Sequence, residues 1–164
     1  MRKLMQGLAA ATKVAVRVLT VVMLGALAVQ VIMRTAFNAP PSWTEEIALL
    51  AFSWTVLLGM AYGVREGVHV RMDLLLDVLP RALRRLTERL VLSAIVAVGV
   101  YLVVAGWQYT ESAFGITSAA TGYPMPLLYA SCVVSGALVA AFALERLLAG
   151  AAASDDPDPA EALQ

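Results

Sequence analysis

Residues 90–109 read LVLSAIVAVGVYLVVAGWQY, with no Asp, Glu, Lys, Arg or His among them. A hydrocarbon core about 30 Å thick needs about 20 helical residues to cross it. This stretch has that length, and it holds no charge for lipid to penalise. Three more stretches behave alike: 14–33, 47–64 and 126–147. Arg17 stands near the edge of the first, and the central parts of all four are uncharged. The chain is 60% apolar over 164 residues, above the roughly 45–50% of soluble domains. The fold class that follows is all-α, a polytopic membrane protein with four transmembrane helices. Residues 1–149 form the membrane domain. Residues 150–164, with Asp155, Asp156, Asp158, Glu161 and two prolines, form an acidic tail expected to be disordered.

Net charge is zero, but its distribution is uneven. The N-terminal region and the connection 65–89, with Arg146, hold eleven of the twelve Lys and Arg; the connection 34–46 holds Arg34 alone. Positive loops stay cytoplasmic. Both termini and the second connection are therefore expected inside. Trp43, Trp107, Tyr109 and Tyr123 then fall near the outer boundary, as an interfacial belt would; buried packing is the alternative. Arg2 and Lys3 precede an apolar run, but that run reaches Met33, longer than a signal peptide's usual core. A retained first span is expected.

The connections carry more detail. Pro40-Pro41 forbids a continuous helix. Ser42-Trp43-Thr44-Glu45 reads as a capping box, in which Ser42 accepts from the Glu45 backbone N–H. In the second connection Met72, Leu75, Leu76 and Leu79 follow helical spacing. After Pro80, Leu83, Leu86 and Leu90 line one side, opposite Arg81, Arg84, Arg85 and Arg89. The segment 70–89 is therefore an amphipathic helix expected to lie in the interface, with an extension of the third span as the alternative. Gly59-x-x-x-Gly63 and the row Cys132, Gly136, Ala140 would let helices approach closely. Their partners are not legible.

Little here suggests chemistry. A single histidine, His69, excludes paired haem ligation, and no P-loop occurs. The lone Cys132 has no metal-ligand companions. No catalytic residues, cofactor, metal or nucleic-acid partner are expected. The hydroxyls in the spans can be satisfied by backbone carbonyls. A chain that moved ions alone would usually keep ionisable groups at depth. The pattern therefore favours an accessory subunit over a stand-alone homo-oligomeric transporter or a redox-enzyme anchor.

Residues Arg34 to Pro80 carry a family resemblance. Arg34-Thr-Ala-Phe37-Asn38, Trp43-Thr-Glu45-Glu46, Trp54, Gly59, Arg65-x-x-x-His69-Val-Arg-Met-Asp73 and Pro80 together resemble the small membrane subunit of tripartite ATP-independent periplasmic (TRAP) transporters. Val70 and Met72 stand where Ile and Val are common in that family. The resemblance implies a subunit that braces a large multi-span transport subunit. A periplasmic binding protein would deliver an organic acid, and a sodium gradient would drive uptake. Trp43, Glu45 and Glu46 would meet a partner at the outer start of the second helix. Arg65, His69 and Asp73 would organise the inner turn. His69 and Asp73, four residues apart, are expected to hydrogen-bond on one helical face. Arg34, Trp54 and Gly59 complete the interface or structural candidates.

Overall fold

Where helix N–H and C=O groups run out of partners, the chain needs a breaker or a cap. The computed structural model describes residues 2–67 and 81–152. Helix α1 runs Arg2–Phe37 and stops at Asn38, whose φ of 48° is left-handed; Asn accepts that region better than most residues. Helix α2 runs Ser42–Glu66 and ends on Gly67 at φ 77°. Helix α3 runs Arg81–Ser112, and α4 runs Pro126–Ala152. All four are long and apolar enough to cross a membrane. At 1.5 Å per residue, the 36 residues of α1 measure about 54 Å, so α1 overshoots a core of about 30 Å.

Two local expectations are corrected. Pro41, not Ser42, occupies the cap position of α2, and no side chain caps it. The extended Pro41 backbone shifts the helix start by one residue, which makes Ser42 the first helical residue. Thr44 is fully buried instead, its hydroxyl donating to the Pro41 carbonyl at 2.6 Å. Residues 81–89 are not a separate interfacial helix. They are the first turns of α3, which continues unbroken to Ser112. No Pro or Gly lies between Arg81 and Val98 to interrupt it. Leu83, Leu86 and Leu90 remain exposed on this extension. The first part of the expected amphipathic segment, and with it His69 and Asp73, lies outside the described residues. At the other end, α4 continues through Gly150 to Ala152, and the rest of the acidic tail is likewise outside.

The helices pack in the spatial order α1, α2, α4, α3. Small residues set the α3–α4 distance. A Cβ on Gly99 would stand 2.8 Å from the Ala140 backbone nitrogen, and one on Gly106 would stand 2.8 Å from Cys132 Cβ. A Cβ on Gly136 would lie 2.8 Å from the Gly99 carbonyl oxygen. Such approach supplies the dispersion contacts that hold helices together in lipid. The row Cys132, Gly136, Ala140 therefore faces α3. At the Arg65 end Ala9, Ala61, Val64, Val139, Phe142 and Ala143 form the buried core. Elsewhere apolar side chains point outward, as on α1 at Val14, Val18, Val21, Leu24 and Val31. In water these would be a liability; in a bilayer they face their natural solvent.

Candidate functional site

Polar contacts between helices concentrate at the two ends of the molecule. At one end the connection between α3 and α4 folds back on itself. Gly115 and Gly122 take φ of 84° and 72°, and Thr117 bridges to Pro124. The Ser118 N–H donates to the Tyr123 carbonyl at 2.9 Å, and the Met125 N–H to that of Ile116 at 3.0 Å. This tight loop aims its donors at one place, and Glu46, in the second turn of α2, fills it. The Ala120 N–H donates to Glu46 Oε1 at 2.9 Å. The Thr121 N–H and Oγ1 donate to Oε2 at 2.9 and 2.7 Å. Ser118 Oγ donates to Oε2 as well. Charge-assisted bonds of this kind are roughly twice as strong as neutral ones. Donors surround both oxygens, so the arrangement receives a carboxylate and is not built for a cation. Burial, and then the Glu46 charge beside it, push the Tyr123 phenol above its usual pKa. Tyr123 therefore stays neutral next to the clamp.

At the opposite end two arginines join three helices. Arg65, in the last turn of α2, donates to the Met5 carbonyl of α1. Its guanidinium lies 3.8 Å from Glu145 Oε2 and 5.3 Å from the Phe142 ring centroid, both on α4. Arg146 donates to the Val64 carbonyl at 3.0 Å. There it shares the helix-end carbonyl with the Gly67 N–H, which donates to it at 3.3 Å, and meets the negative end of the α2 dipole. Gly67 makes room for it: a Cβ there would come within 2.5 Å of Arg146 Nη1. Between the two ends, Trp54 Nε1 donates to the Leu127 carbonyl at 3.0 Å and ties α2 to the start of α4.

The sequence candidates therefore divide. Glu46, Trp54 and Arg65 each bond to another helix or to the α3–α4 loop. Trp43, like Trp107 and Tyr109, is exposed, whereas Tyr123 is half-buried. Glu45 lines a groove between α1 and α2, and Arg34 is exposed near the end of α1. Gly59 has no atom within 4 Å of its Cβ position among the described residues, so none of the described helices packs on it. The sequence reading missed Ser118, Thr121, Glu145 and the role of Arg146. Ser118 and Thr121 carried no signal at all. The adjacent charges of Glu145 and Arg146 at the end of an apolar span were the one hint available. Among the described residues no three His, Cys, Asp or Glu gather as a metal site.

These features define a multi-pass helical membrane protein in which the Glu46 clamp and the Arg65–Arg146 cluster join one part of the chain to another. The family model of tripartite ATP-independent periplasmic transporters, DctQ component, matches residues 23–153. The chain belongs to this family of TRAP transporter small permease subunits. It is 33% identical over 79 residues to the C4-dicarboxylate TRAP transporter small permease protein DctQ of Vibrio cholerae, 48% of this chain and 34% of that one. It is 31% identical over 113 residues to the sialic acid TRAP transporter small permease protein SiaQ of the same species, 64% and 65%. It is also 34% identical over 73 residues to the sialic acid TRAP transporter permease protein SiaT of Haemophilus influenzae, 44% of this chain but 12% of that one. In each case the match covers less than two thirds of the relative's own length.

Proposed function

We propose that this subunit braces a large multi-span transport subunit and does not itself catalyse a reaction or carry solute. The observation that carries this reading is the relative SiaT, where the matched stretch is 12% of a much longer permease chain. A segment that occurs both alone and joined to a large permease is suited to stand beside one. The lack of ionisable residues in the central spans agrees. So does the use of Glu46, Arg65 and Arg146 for internal ties. The stand-alone transporter and the redox anchor are not favoured, since the relatives are named as permease subunits.

The substrate reaching the complex is an organic acid, delivered by a periplasmic binding protein and driven by a sodium gradient. The relatives' names point to carboxylates, dicarboxylate in one and sialic acid in another. The complex stands in the inner membrane with both termini of this chain cytoplasmic, as the arginine distribution favours. In this orientation the Glu46 clamp faces the binding protein, and Trp43 and Glu45 flank it.

Reconstitution tests the reading. Vesicles with this chain and its large partner, a binding protein and an inward sodium gradient take up labelled organic acid. Vesicles with this chain alone take up none. Uptake by this chain alone would overturn the bracing role.

A further inference from the structure

A groove of about 300 Å³ opens between α1 and α2. Met23, Leu27 and Gln30 of α1 line it with Glu45, Leu49 and Phe52 of α2. Leu27, Leu49 and Phe52 are 40%, 54% and 53% exposed. The lining is polar at one end only. Gln30 lies two turns before the end of α1, and Glu45 lies in the first turn of α2. Met23 and Phe52 each stand seven residues further into the membrane, about 10 Å deeper. Arg34 follows Gln30 by four residues, on the same face of α1. Neither Glu45 nor Arg34 has a hydrogen-bond or ion-pair partner among the described residues. The polar end therefore offers the Glu45 carboxylate and the Gln30 amide, with the Arg34 guanidinium about one helical turn beyond the lining, and the rest of the groove is apolar.

We infer that this groove binds one phospholipid with a phosphoethanolamine headgroup. The ammonium lies on the Glu45 carboxylate and the phosphate on the Arg34 guanidinium. The Gln30 amide bonds between them, and an acyl chain runs along Leu27, Leu49, Met23 and Phe52. The volume holds about ten groups the size of a water or methylene. That suits a length of one chain, whereas a second helix about 10 Å across does not enter. The charges select the headgroup. A primary ammonium presents three N–H donors to a carboxylate, and a choline presents none. A headgroup with phosphate and no cation would leave Glu45 unanswered.

The test is native mass spectrometry of the full chain, purified in mild detergent and titrated with phosphatidylethanolamine, phosphatidylcholine or phosphatidylglycerol. The wild type retains one phosphatidylethanolamine per chain in preference to the other two. Glu45→Gln weakens that retention about tenfold, equivalent to about 1.4 kcal/mol, while Glu111→Gln on α3 leaves it unchanged. Leu49→Trp fills the groove and lowers retention of every headgroup. Circular dichroism and a monodisperse elution profile establish that each variant is folded. Equal retention of the three lipids, or an unchanged value in Glu45→Gln, overturns the inference. So does a photo-crosslinker at position 49 that captures a polypeptide in intact cells instead of a lipid.

Discussion

Thr121 gives both its backbone N–H and its hydroxyl to one oxygen of Glu46, at 2.9 and 2.7 Å. The two residues stand 75 positions apart, and their contact fixes the α3–α4 loop to the start of α2. Glu46→Gln keeps the length but replaces an acceptor with an NH₂ group facing N–H donors. The loop then loosens, and limited proteolysis of the purified variant cuts within residues 113–125 faster than in the wild type. Glu46→Asp, too short to reach Ala120 and Thr121 together, lies between them. Equal cleavage of all three would show that the clamp does not order the loop.

Gly136 is one of three equally close approaches between α3 and α4, with Gly99 and Gly106. Gly136→Leu forces the Gly99 carbonyl and Leu102 away. Overpacking of this kind costs about 1–3 kcal/mol. Reversible unfolding in mixed micelles reads the loss.

Gly59 behaves in the opposite way. With open space around it among the described residues, Gly59→Ala leaves the isolated chain within about 0.5 kcal/mol of wild type or slightly more stable. If this face meets the large subunit, as the bracing role implies, Gly59→Leu weakens co-purification of that subunit and leaves the isolated chain folded. The pair of measurements separates internal packing from assembly.

Arg146→Ala removes the cap on the Val64 carbonyl and leaves the space beside Gly67 empty. The carbonyl keeps its bond from the Gly67 N–H, so the loss is that of one net hydrogen bond, about 1 kcal/mol. Arg146→Lys recovers part of this, since an ammonium reaches the carbonyl but does not fill the volume of the guanidinium. The same unfolding assay ranks wild type, Lys and Ala in that order.

Trp54→Phe deletes the bond to the Leu127 carbonyl and keeps most of the ring. A net hydrogen bond is worth about 1 kcal/mol, so a small loss is expected. Trp54→Ala also removes the half-buried ring and loses more, about 1–3 kcal/mol.

Much of this protein is set by short-range patterns. Residues 90–109 declare a span because no charge interrupts them, and the other three spans do so because their central parts are uncharged. Family membership was legible from Arg34 to Pro80, since Trp43, Glu45, Glu46 and Arg65 keep a fixed order. Local boundaries were less legible. Ser42 looked like a cap until Pro41 took the position. The leucine and arginine faces of 81–89 favoured an interfacial helix, and only the unbroken backbone made them part of α3.

The sequence by itself determined the four helices and the family, because lipid imposes length and the absence of charge on each span separately. Only the tertiary structure decided what Glu46, Arg65 and the glycines do. Ser118 sits 72 positions from Glu46 and Arg146 sits 82 from Val64. No periodicity connects residues so far apart. Their meeting depends on the order α1, α2, α4, α3, within which Gly99, Gly106 and Gly136 let the α3 and α4 backbones approach closely.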